Sequence, residues 1–127
     1  MKLRFVTKEM HAYLDYPVAL SLMILPIVFG LGASMPAAKW LAVCSGAAAF
    51  VLTLFTDHKL GVFRILPYAF HLAVDSLVGL VFRVAPSALG FVGPDAWYYW
   101  ANGAAVLLVC GLHRPEEEES MITAHSR

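Results

Sequence analysis

Residues 16–38 form a run of 23 without a charged side chain, and three more apolar runs follow. Residues 40–56 are uncharged, residues 65–93 hold only Asp75 and Arg83, and residues 96–112 are again uncharged. A helix needs about 20 mainly apolar residues to cross a bilayer. Unpaired backbone groups cost several kcal/mol each in hydrocarbon, so only helices and closed barrels cross it. These runs are too long for strands and do not alternate with period two. They predict transmembrane helices over about 11–32, 38–56, 67–92 and 95–112. The first run is longer than the apolar part of a secretory leader, and no small-x-small cleavage site follows it, so it reads as a span.

Composition supports this reading. Hydrophobic residues make up 60% of the 127 and charged residues 14%, against about 25% charged in soluble domains. Nine basic and nine acidic residues balance, which leaves no basic surface for nucleic acid. The partner this composition requires is a lipid bilayer, with a larger membrane complex or a homo-oligomer as a further expectation.

The basic residues set an orientation. Lys2, Arg4 and Lys8 precede the first run, Lys59 and Arg64 lie between the second and third, and Arg114 follows the fourth, whereas Lys39 alone lies in the opposite loops. The positive-inside rule then places both termini in the cytoplasm. Trp40, Trp97, Tyr98, Tyr99 and Trp100 are expected at the far interface, where amphipathic rings concentrate. Residues 113–127 contain Glu116, Glu117, Glu118 and Glu119. They lack apolar periodicity and read as an acidic, disordered cytoplasmic tail. Cys44 and Cys110 fall at different depths, which predicts no disulfide between them and small, buried apolar roles for both.

An internal repeat organises the rest. At an offset of 60, Arg4 falls on Arg64, His11 on His71, Asp15 on Asp75, Val18 on Val78, Leu20 on Leu80, Pro26 on Pro86, Gly30 on Gly90 and Trp40 on Trp100. After a three-residue gap, Gly46, Ala47 and Ala48 fall on Gly103, Ala104 and Ala105. Each repeat (about 4–56 and 64–112) supplies two helices, and an even number of spans gives both copies the same topology. The expected fold is therefore all-α: a single transmembrane domain over 1–112, a four-helix bundle of two tandem hairpins related by a pseudo-two-fold axis along the membrane normal. Pro26 and Pro86 should kink their helices, and Gly30 and Gly90 should end them. Pro67 suits the start of the third helix. The Gly-Ala-Ala patches should let helices approach closely.

The sequence His-x3-Asp, a Pro-x3-Gly helix end, and the block Thr56-Asp57-His58-Lys59-Leu60-Gly61 followed by Arg64, Pro67, His71 and Asp75 together resemble the bacterial SPW-repeat membrane proteins. The likeness extends over roughly 11–112. Of the Ser-Pro-Trp tripeptide only the prolines stand here, in Leu25-Pro26-Ile27 and Ala85-Pro86-Ser87. The resemblance implies a small multi-pass protein of the bacterial inner membrane and no particular chemistry.

Ionisable groups inside a span are expensive and usually face the bundle interior. His11 and Asp15, like His71 and Asp75, are four residues apart and share a helix face. Repeat symmetry should bring the two pairs together at the cytoplasmic end, with Asp57 and His58 as a rim. Two imidazoles and two carboxylates could ligate a divalent metal such as zinc or iron, pass protons, hydrogen-bond a quinone headgroup, or simply satisfy each other. Nothing in the sequence singles out one metal or cofactor. Arg83 has Met23 as its repeat mate. It should snorkel to the far headgroups, with Asp95 as a second possibility. Thr53 and Thr56 should bond back to helical carbonyls, and Asn102 should bond across helices. No ExxH, CxxC, HExxH or GxSxG pattern occurs among these residues, so no complete catalytic constellation is present. Three functions follow: a non-catalytic structural or accessory membrane component, a metal- or cofactor-binding protein centred on His11, Asp15, His71 and Asp75, or a small proton or solute transporter.

Overall fold

The computed structural model describes residues 5–57, 60–113 and 124. It is all-helical, with α1 over Lys8–Val28, α2 over Ala37–Phe55, α3 over Tyr68–Leu89 and α4 over Pro94–Gly111. Among the described residues, α1, α2 and α3 are long and apolar enough to cross a membrane. The 21 residues of α1 rise about 31 Å, close to the roughly 30 Å hydrocarbon thickness. α4 falls short by composition, because its first half holds Pro94, Asp95, two tryptophans, two tyrosines and Asn102. Much of the outer surface is apolar: Ile24, Leu77, Leu80 and Leu108 are all more than half exposed.

Local chemistry sets the helix ends. α1 starts three residues before the expected position because the Thr7 side chain accepts a hydrogen bond from Met10 N at 3.1 Å, a standard N-cap. α1 and α3 stop short of the expected 32 and 92 for one shared reason. The carbonyls of Pro26 and Pro86 accept from Leu31 N (2.9 Å) and Phe91 N (3.0 Å), and the chain turns through Gly30 (φ 65°) and Gly90 (φ 77°). Left-handed backbone of this kind favours glycine.

α1 packs along α2 and α3 along α4, and the small residues make this possible. A Cβ on Gly46 would lie 2.8 Å from the Ala19 carbonyl oxygen and 2.8 Å from Leu22 Cβ. One on Gly103 would lie 2.9 Å from Gly79 O and 2.9 Å from Arg83 N. The remaining joints lie near the helix ends. Leu22, Ala38, Ala42, Phe82, Phe91 and Tyr99 belong to one buried core at the end opposite His11. Asp95, 2% exposed, locks this end. Its carboxylate accepts from Gly32 N at 3.0 Å, Ser34 N at 3.0 Å and the Ser34 hydroxyl.

Several expectations need correction here. Tyr99 is not an interfacial ring: it is fully buried and its hydroxyl donates to Ala38 O at 2.7 Å. Trp40 and Trp97 are exposed at this end. Arg83 does not pair with Asp95, whose oxygens the 32–34 loop occupies; it donates to Trp100 O at 3.4 Å. Asn102 donates to Tyr98 O of its own helix at 2.8 Å, not across helices. Cys44 and Cys110 are free thiols, Cys44 exposed and Cys110 partly so, and both line a cavity. Lys2, Arg4, His58, Lys59, Arg114 and the Glu116, Glu117, Glu118 and Glu119 tail fall outside the described residues.

The contact at Gly46 gives a direct test. Gly46→Val should destabilise the fold by about 1–3 kcal/mol through overpacking, measured by denaturant unfolding in detergent. Ala47→Val, on an exposed position, should change stability by less than about 0.5 kcal/mol. Equal effects would contradict close α1–α2 packing.

Candidate metal centre

α1 and α3 each present His and Asp one turn apart, and the fold interleaves the two pairs. His11 Nε2 lies 3.0 Å from Asp15 Oδ1 in its own helix and 2.8 Å from Asp75 Oδ2 across the interface. His71 Nε2 lies 3.1 Å from Asp75 Oδ2 and 3.2 Å from Asp15 Oδ2. Each imidazole thus faces both carboxylates. One ligand atom from each of the four residues falls within 4.8 Å of all the others. Both histidines are buried, at 3% and 1% exposure, so water cannot substitute freely for these contacts.

The supports of this quartet are built from the neighbouring segments. Thr56, at the C-cap of α2, donates its hydroxyl proton to Leu52 O at 2.6 Å. A hydroxyl has one proton, so towards His71 Nδ1, 2.7 Å away, it acts as acceptor. His71 therefore carries its proton on Nδ1 and, when neutral, turns the Nε2 lone pair towards the carboxylates. Fixing one ring nitrogen through a hydrogen bond is how proteins orient a histidine ligand.

Residues 60–66 of the link pack against the end of α2 that carries Thr56. The carbonyls of Leu54 and Phe55, unpaired at the end of α2, accept from Val62, Phe63, Ile65 and Leu66 N–H groups at 2.8–3.0 Å. Gly61 lies so close to Thr56 that a Cβ would collide with its carbonyl oxygen at 2.0 Å. Tyr16 donates to Leu60 O at 2.7 Å and ties the link to α1. Thr56 and Gly61 thus help frame one side of the quartet. Thr53 and Thr56 both bond back to helical carbonyls as expected, but the contact of Thr56 with His71 was not foreseen.

On the His11 side the frame differs. Val6 N donates to Leu112 O at 3.0 Å, and Val6 bridges His113 as Thr56 bridges Leu66. These two bridges are repeat mates: Val6 falls on Leu66 at offset 60, and Thr56 falls on His113 at the post-gap offset of 57. His113, 8% exposed, therefore stands where the other half has Thr56. Its ring centroid lies 6.2 Å from that of His11, edge-on, and Tyr68 lies 5.9 Å away in the same relation. His11 Nδ1 is buried with no hydrogen-bond partner among the described residues. His113, expected to open the tail, is instead buried; residues 114–123 and 125–127 lie outside the described residues. Extending the repeat alignment from residues 46–48 to Thr56 would have revealed the place of His113.

Of the sequence-based candidates, His11, Asp15, His71 and Asp75 converge. Asp57 is exposed, is engaged through its backbone N–H to Leu66 O at 2.8 Å, and does not join them. His58 lies outside the described residues, and Arg83 sits at the opposite end. No protein-family model, curated protein or solved structure gives a significant match to this chain.

Removing the Thr56 hydroxyl should leave a buried imidazole N–H without its acceptor, a cost of about 1–3 kcal/mol. Thr56→Val should therefore unfold at clearly lower denaturant than Thr53→Val, whose hydroxyl serves only Ala49 O at 2.8 Å. Indistinguishable midpoints would remove Thr56 from the frame.

Proposed function

We propose that this chain is a small multi-pass inner-membrane protein of SPW-repeat type in which His11, Asp15, His71 and Asp75 bind one divalent first-row metal ion. The geometry of the donors carries this reading. Bonds of about 2.0–2.1 Å to a tetrahedral ion place neighbouring ligands about 3.3 Å apart. With Asp15 Oδ1 and Asp75 Oδ2 as the two oxygens, three N···O separations, 2.8, 3.0 and 3.1 Å, are close to that edge length, and the second Asp15 oxygen lies 3.2 Å from His71 Nε2. Two imidazoles and two carboxylates suit zinc or ferrous iron better than magnesium or calcium, which prefer all-oxygen shells.

Mutual salt bridging is the competing account of the same contacts. Two Nε2–H groups would then have to be shared among four N···O contacts, each proton split between two carboxylates. A metal would take one ligand atom from each of the four residues. We place the quartet at the cytoplasmic end of two tandem hairpins related by a pseudo-two-fold axis, with α4 as the fourth span. The side on which Lys8 and Arg64 lie supports that orientation. The metal would serve as a structural clamp between the two repeats, in a non-catalytic or accessory membrane component.

Metal analysis of untagged protein, purified in mild detergent without chelators, tests this. One zinc or iron per chain is expected, lost in His11→Ala/His71→Ala and retained in Asp57→Asn. Thr56→Val should weaken metal affinity by about 10- to 100-fold through the lost outer-shell bond. A folded, metal-free wild-type protein that takes up no added zinc or ferrous iron would refute the proposal.

A further inference from the structure

Between the quartet and the Asp95 lock, residues of all four helices line a half-open cavity of about 630 Å³. Repeat-equivalent positions line it from both halves: Asp15 and Asp75, Val18 and Val78, Ala48 and Ala105. It is therefore a feature of the repeat itself, lying between the two halves. From His11 to Leu22 on α1 it extends 11 residues, or about 16 Å. Its volume falls within the roughly 300–1,000 Å³ of small-molecule sites, and its walls are chiefly aliphatic.

The polar end of this cavity is asymmetric and incomplete. Asp75 turns Oδ2 to both imidazoles. Its Oδ1 receives no hydrogen bond among the described residues, on a side chain 17% exposed that lines the cavity. An uncommitted carboxylate oxygen at the end of an apolar groove calls for a hydrogen-bond donor. The donor should be neutral, because two carboxylates are already balanced by a dication or by two imidazolium ions.

We infer that the cavity binds a neutral, membrane-soluble molecule with an elongated apolar body and a terminal hydroxyl, seated with that hydroxyl against Asp75. A long-chain phenol has this chemistry. The cavity and the free Asp75 oxygen stand whether or not the quartet holds metal; only the choice of a neutral headgroup leans on the charge balance there.

Cys44 and Cys110 both line the cavity and report on its occupancy. The experiment is alkylation of the wild-type protein by N-ethylmaleimide in lipid nanodiscs, followed by peptide mass spectrometry. The probe is 4-nonylphenol, with nonylbenzene as the same body without the hydroxyl, and metal content is measured on the same samples. Saturable protection is expected, slowing Cys44 labelling at least fivefold at one phenol per chain. Nonylbenzene should need about tenfold higher concentration for the same effect. Ala48→Leu/Ala105→Leu, which fills the cavity, should slow labelling without any probe and keep the metal. Absence of saturable protection would overturn the inference, and equal protection by both probes would overturn the hydroxyl assignment. Protection in metal-free protein would leave the cavity standing while the metal reading falls, so the two outcomes are separable.

Discussion

Two histidines and two aspartates in the first two turns of two apolar helices are what this chain must accommodate before anything else. Ionisable residues inside a membrane helix are costly, by about 2.5–3.5 kcal/mol for an Asp at the helix centre on insertion scales. The protein meets that demand by bringing all four to one point, where each imidazole faces both carboxylates. The cross-helix contacts, 2.8 Å for His11–Asp75 and 3.2 Å for His71–Asp15, are available only when α1 and α3 lie side by side at this end. The quartet therefore fixes how the two halves of the chain meet.

The opposite end is joined by different means. Asp95 gathers three donors from the 32–34 loop, Tyr99 reaches Ala38, and an aromatic core of Phe82, Phe91 and Tyr99 packs with centroids 4.6 and 5.1 Å apart. None of these has a repeat mate: residue 35 is Met where residue 95 is Asp, and residue 39 is Lys where residue 99 is Tyr. Within each pair, Gly46 and Gly103 allow backbone-close packing. The cavity is what remains between two tightly packed pairs that touch mainly at their ends.

The repeat made most of this legible in advance. His and Asp recurring at one offset announced the convergence of His11, Asp15, His71 and Asp75. The helix ends at Gly30 and Gly90 followed from the same alignment. What the sequence concealed were contacts made by residues with ordinary local roles. Thr56 looks like a hydroxyl bonding to its own helix, and it does so; its second function depends on where the link folds. Asn102 and Tyr99 exchanged expected roles, since only packing decides which polar side chain reaches a neighbouring backbone. Asp57 is adjacent to the quartet in motif but points away, because its backbone and not its carboxylate pairs with Leu66. His113 was hidden by its place at the start of a charged tail, although it is the repeat mate of Thr56.

X-ray absorption at the metal edge of the purified protein tests the central claim most directly. The account predicts a four-coordinate light-atom shell with multiple-scattering features of two imidazoles and metal–ligand distances of about 2.0–2.1 Å. A six-coordinate oxygen shell, or a shell with no imidazole scattering, would show that the His–Asp quartet is held together by its own ion pairs and not by a metal.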